Sequence, residues 1–341
     1  MTKRPAGLQY SRAKTLPERA SLMIDRRASP SPLSGSLFVP LPSSRTSSDA
    51  VARLMLVALS LAWGLTWPIM KIALDEIPPF SFRTATSGLA CAVLFAVAFA
   101  QRRNMGLKNR MAGVHLAVAG FLSVGVFTLG SAFAQLATTT SRVSVLTYTM
   151  PIWAALLARP VLGERLNAMR GISLLLCAAG LAVLIYPLVG SSHLIGVAIA
   201  ITTAVAWAGG TVYFKWARVE ADPLAIAAWQ LMLALVATII GLIAVEGSLH
   251  LWPIHWPAAL ATIFSAAVGS ALAYLLWFEV VRRLPAMTAT LGVLSVPVIG
   301  AVASMLILGE RPTATDFIGF ALVLGAAACV VLTPTSVVGT R

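Results

Sequence analysis

Pro151-Ile-Trp-Ala-Ala-Leu-Leu-Ala-Arg-Pro-Val-Leu-Gly163-Glu164-Arg165 has an echo near the far end of the chain, Pro297-Val-Ile-Gly-Ala-Val-Ala-Ser-Met-Leu-Ile-Leu-Gly309-Glu310-Arg311. In both copies a proline sits inside an apolar helix, and Gly-Glu-Arg ends that helix at the same distance. A second pair supports the repeat: Ala62-Trp63 with Lys71, and Ala206-Trp207 with Lys215. An internal repeat of this kind decides the architecture before any single element does.

Of the 341 residues, 58% are hydrophobic and 11% charged, where a soluble domain carries roughly 25% charged. The mean hydropathy is +0.87. A soluble fold cannot hide that much apolar surface, so the chain belongs in a lipid bilayer. The net charge of +13 falls in the N-terminal tail and in alternate loops. That placement reads as topology signalling rather than as a nucleic-acid surface. Cys91, Cys177 and Cys329 lie inside apolar runs without metal-ligand or disulfide spacing and read as packing residues. Residues 1–50 are rich in Ser, Pro and Arg, so they are expected to form a disordered basic tail. Residues 334–341 are expected to be a second, short tail.

From about Leu54 onward, apolar runs alternate with short polar breaks. At roughly 20 residues per crossing, about ten spans fit: 53–72, 79–100, 113–134, 139–158, 168–188, 194–214, 223–245, 257–278, 285–308 and 314–333. Helices are required because lipid offers the backbone no hydrogen-bond partner. Placing the N-terminus in the cytoplasm puts most Lys and Arg there, including Arg102, Arg103, Lys108, Arg110, Arg159 and Arg165. Both termini are then cytoplasmic, in the inner (plasma) membrane. The fold expected is an all-α integral membrane protein of ten transmembrane helices. Its two five-helix repeats, 53–188 and 194–333, enter the membrane in opposite senses because five is odd.

The repeated proline-to-Gly-Glu-Arg helix, the Trp63-Gly-x-x-Trp67…Lys71 pattern and the five-plus-five layout resemble EamA-type transporters of the drug/metabolite transporter superfamily. The resemblance covers about 53–333. It implies export of amino acids, related metabolites or toxic organic compounds. It also implies a central cavity lined by helices 1–4 and 6–9, with helices 5 and 10 at the periphery.

Pro151 and Pro297 read as helix breaks or hinges, since an interior proline removes a backbone bond and frees carbonyls. Glu164, Arg165, Glu310 and Arg311 stand at helix ends, either as gate pairs or as interfacial anchors. Arg83, one turn inside helix 2, reads as a carboxylate clamp or as a cation snorkelling to Asp75 or Glu76. Arg142 carries the same ambiguity. Trp63 and Trp67 share a helix face, Trp207 repeats Trp63, and Tyr148 and Trp153 flank Pro151; together they suit an apolar or cationic ligand. Thr66, Thr147 and Thr211 offer hydroxyls nearby. Gly171, Gly180, Gly319 and Gly325 suit close helix packing, with a homodimer through helices 5 and 10 as one use.

No acidic residue falls mid-span, so no proton site is visible, and no metal, cofactor or nucleophile pattern stands out. The function expected is an exporter of a small metabolite such as an amino acid or derivative, working by alternating access, and not an enzyme. The alternatives are export of cationic or aromatic drug-like compounds, and a membrane enzyme or sensor on the same scaffold.

Overall fold

The computed structural model describes residues 45–163, 168–283 and 293–332. All of them lie in the unit Ser44–Arg341. Among these residues the chain is helical throughout. We label the helices α1 Arg45–Leu74, α2 Pro79–Ala100, α3 Arg110–Ala137, α4 Thr140–Leu162 and α5 Ala168–Ile185 for the first repeat. The second repeat has α6 His193–Ala217, α7 Pro223–Glu246, α8 Trp256–Trp277 with a continuation to Arg283, α9 Ser295–Ile307 and α10 Ala314–Leu332. Among the described residues eight helices are long and apolar enough to cross a membrane, while the apolar stretches of α9 and α10 are shorter. The first helix begins at Arg45, inside the segment expected to be tail.

Local chemistry sets the helix boundaries. Asn109 caps α3 by accepting from the Ala112 amide at 2.8 Å. Asp222 caps α7 through the Leu224 amide at 2.9 Å, with Pro223 in the first turn where its missing N–H costs nothing. The Gly-Glu-Arg stops resolve into one device. Gly163 and Gly309 follow α4 and α9 with φ of 70° and 67°, a left-handed turn that only glycine adopts freely.

The prolines act differently from the expectation of a mid-helix kink. The first half of α4 ends at Thr147, Tyr148 and Thr149 form a turn, and a fresh helix starts at Met150. Pro151 is therefore in the first turn of the second half, where it needs no donor. Pro297 likewise lies in the first turn of α9. At the break Thr147 and Thr149 turn their hydroxyls back onto the Val143 and Leu146 carbonyls.

The packing maps onto itself when each helix is exchanged for the one five places on. Contacts of α1 with α8 and α9 match those of α6 with α3 and α4, while α2 pairs with α7 and α5 with α10. The start of α2 meets the end of α7 (Ser81 with Glu246), and residues beyond its end meet the start of α7 (Arg103 with Asp222). Equivalent helices thus run in opposite directions, which is the geometry of inverted repeats.

Alanine, glycine, serine and threonine make much of the interior, because helices in lipid gain their contact by close approach. Gly180 and Gly319 are consumed in the α5–α10 contact, where a Cβ on Gly180 would meet Val323 and Leu322 at 2.9 and 3.0 Å. Gly171 and Gly325 have open space around them.

Gly210 of α6 rests against α3, and a Cβ there would come within 2.8 Å of both the Ala119 carbonyl and the Ser123 amide. Backbone cannot move aside cheaply. Gly210→Ala should therefore destabilise by about 1–3 kcal/mol, although alanine is the better helix former. Gly325→Ala should be neutral or stabilising. Thermal unfolding in detergent checks both, and a Gly210→Ala protein as stable as wild type would contradict the close crossing.

Candidate functional site

A cavity of about 970 Å³ lies between the two repeats. Its walls come from α1, α2, α3, α4, α6, α7 and α8, together with Val293; α5 and α10 contribute nothing among the described residues. It reaches Gln101, Arg103 and Pro223 at one end of the bundle and goes no further than Met70, Arg83 and Tyr148 toward the other. The open end carries Arg102, Arg103, Lys108, Arg110, Lys215 and Arg218 nearby in sequence, so we call it the basic end.

Of the charged residues that line the cavity, Arg103 and Glu279 stand toward its mouth and Arg83 lies inside. Its Nη2 donates to Ser131 Oγ at 2.6 Å, and Ser131 in turn donates to the Phe127 carbonyl at 2.6 Å. Its Cζ stands 5.4 Å from the Phe82 ring centroid. Its Nε is buried with no partner among the described residues. Tyr274 of α8 is within electrostatic reach. Arg83 is thus bonded inward to Ser131, while the acids weighed as snorkelling partners have other contacts: Asp75 binds Lys71 at 2.6 Å, and Glu76 accepts from the His255 amide at 2.8 Å.

Aromatic rings from both repeats make part of the wall. Trp63 packs on Tyr274 and Trp277 at 6.5 and 5.9 Å, Phe127 packs on Trp207 at 4.9 Å, and Trp67 meets Phe127 edge-on at 6.3 Å. Of the residues singled out in the sequence, Trp63, Thr66, Trp67, Arg83, Tyr148 and Trp207 line the cavity. Three do not. Thr147 is fully buried and bonded to Val143 and Ser144, Trp153 donates to Thr149 Oγ1 at 3.0 Å, and Thr211 is exposed with its hydroxyl on the Trp207 carbonyl.

Phe127, Ser131, Tyr274 and Trp277 line the cavity without having been singled out. One sequence signal was available for their neighbourhood. Val124-Gly125 and Val268-Gly269 have the same separation as Trp63 and Trp207. Both dipeptides fall in π-helical stretches, Phe121–Gly125 and Ser265–Leu272, at equivalent depth in α3 and α8. Such stretches loosen the backbone ladder and concentrate at working sites.

Carboxylates close the other end, which we call the capped end. Glu246, at the end of α7, accepts from the Phe80 and Ser81 amides at 2.8 Å each and from Ser81 Oγ at 2.7 Å. Glu310, after α9, repeats this on α4, accepting from the Thr140 and Ser141 amides at 2.6 and 3.0 Å and from Ser141 Oγ at 2.6 Å. Each acid satisfies the unpaired amides of a helix start in the opposite repeat. At the same end Arg142 forms a two-pronged pair with Asp316 at 2.7 and 3.0 Å, tying α4 to α10. The His255 backbone amide holds the Glu76 carboxyl below the ordinary carboxylate range. Glu310 is thus bonded across to the start of α4 in the other repeat, and Arg311 is exposed. Glu164 and Arg165 lie outside the described residues.

Charge-assisted hydrogen bonds contribute about 1.5–3 kcal/mol each. Glu310→Gln should therefore speed hydrogen exchange at the Thr140 and Ser141 amides by at least roughly tenfold, and Glu246→Gln should do the same at Phe80 and Ser81. Unchanged protection in both variants would show that the carboxylates do not hold this end.

The EamA-like transporter family matches residues 51–186 and 194–332. The uncharacterized transporter YvbV of Bacillus subtilis is 30% identical over 294 residues, covering 83% of this chain and 90% of the relative. The uncharacterized transporter YoaV of the same organism is 24% identical, over 79% of this chain and 92% of its own length. A probable amino-acid metabolite efflux pump of Escherichia coli is 23% identical, over 81% and 92% respectively. A solved crystal structure aligns with a TM-score of 0.57 at 22% identity, covering 82% of this chain and 96% of that one, and supports the fold. The chain belongs to the EamA-like transporter family.

Proposed function

We propose that this transporter is an inner-membrane exporter of a small metabolite, such as an amino acid or derivative, working by alternating access between ten spans. The observation that carries the reading is the Arg83 guanidinium standing over a cavity of about 970 Å³, open toward the basic end and capped at the other. The clustering of Lys and Arg at the basic end supports a cytoplasmic location for that end and for both termini. The cavity then faces the cell interior, ready to load. A planar guanidinium with an unused N–H is suited to a carboxylate, which accepts paired bonds from the fork. Aromatic faces from both repeats take the apolar part of the cargo. The π-helical stretches of α3 and α8 supply backbone slack for the exchange between facing states.

The second reading is export of cationic or aromatic compounds, favoured by the rings of Trp63, Trp207 and Tyr274. The two readings part at Arg83, which repels a cation.

Counterflow in proteoliposomes tests both. The panel contains amino acids, their 2-oxo and N-acyl derivatives, and organic cations. For a carboxylated cargo, Arg83→Gln should cut exchange by roughly 10–100-fold while the protein stays folded. Exchange of organic cations alone, undiminished by Arg83→Gln, would replace the first reading with the second.

A further inference from the structure

The cavity holds a cation without the matching anion, and that imbalance selects among carboxylates. Twelve acidic residues occur in the chain, and among the described residues only Glu279 lines the cavity. Glu279 lies at the mouth and is bound to Arg283 at 2.9 Å. The acids of the capped end, Glu246, Glu310 and Asp316, are spent on helix starts and on Arg142. A free amino acid brings a carboxylate and an ammonium a few bonds apart. Once Arg83 takes the carboxylate, the ammonium stands close to a second positive charge, in a low-dielectric space where repulsion is poorly screened. It also needs acceptors for three N–H groups. The hydroxyls and the Gln101 and Gln230 side-chain amides on offer are neutral, and Ser131 already accepts from Arg83. Near the other wall it finds rings, which repay only part of the dehydration of a primary ammonium.

We propose that the cavity selects amphipathic carboxylates that carry no free ammonium, such as arylalkanoic, 2-oxo or N-acylated acids, over the corresponding amino acids. The inference rests on the export reading and narrows its cargo from any amino acid or derivative to the deaminated or N-blocked derivatives. The basic end supports it independently, because its positive field concentrates anions and leaves zwitterions nearly unaffected.

Three probes share the phenylethyl skeleton and differ in the charged groups it carries: 3-phenylpropanoate (a carboxylate), phenylalanine (a carboxylate and an ammonium) and 2-phenylethylamine (an ammonium). Binding is read on the full-length protein in detergent through tryptophan fluorescence, since Trp63, Trp67, Trp207 and Trp277 line the cavity. The expected order has 3-phenylpropanoate at least tenfold tighter than phenylalanine, and 2-phenylethylamine weakest. Arg83→Gln should abolish the advantage of the anion over the amine. Blocking phenylalanine as its N-acetyl derivative should restore affinity to near that of 3-phenylpropanoate. Phenylalanine binding as tightly as 3-phenylpropanoate, or tighter than its N-acetyl form, would overturn the proposal with wild-type protein alone. The proposal therefore stays testable even if Arg83→Gln misfolds. Because binding is measured without a membrane, failure of exchange in proteoliposomes would count against the export reading and leave the selectivity question to the probes.

Discussion

A carboxylate seated on the bare amides of a helix start is the interaction on which this arrangement turns. The first amides of any helix lack partners within it, and near lipid there is little water to supply them. Here the partners come from the other repeat. Glu246 ties α7 to α2, and Glu310 ties α9 to α4. Two local shortages of acceptors are thus converted into two bonds between halves of the molecule, and both lie at one end. That end shuts, and the cavity is left to the other.

Arg83 is intelligible against this background. A cation at membrane depth is costly and is normally offset by an acid or by water. This one is offset in part by Ser131 and by the Phe82 face, and its Nε is left over. An anion placed beside the guanidinium would relieve that deficit. Binding energy gained in this way is specific, because a neutral or cationic solute of the same shape gains nothing from it.

The opening repeat was readable because it uses residues with few alternatives. A left-handed turn after a helix calls for glycine, so Gly163 and Gly309 advertise their conformation. The face of α1 was readable too, since Trp63, Thr66, Trp67 and Met70 follow helical spacing and all reach the cavity. What escaped depends on juxtaposition across the chain. Ser131 and Tyr274 matter because they stand beside Arg83, from α3 and α8, and nothing in their local sequence says so. Thr211 shows the converse: it lies one turn from Trp207 yet outside the cavity, because α6 is turned to press Gly210 onto α3. The helix break was placed one turn too late, because proline marks where a helix can restart as readily as where one bends.

The glycine crossings have a mechanical consequence. Gly210 against α3 and Gly269 against Thr66 of α1 are near-contacts of backbone with its neighbour, in equivalent places of the two repeats. A point of closest approach is where one helix can change its angle to another at least cost in packing. The His193 end of α6 lies 17 residues from Gly210, about 26 Å at 1.5 Å per residue. A tilt of about 10° at that crossing would carry the far end roughly 4 Å, more than one hydrogen-bond length, while the crossing itself would hardly move.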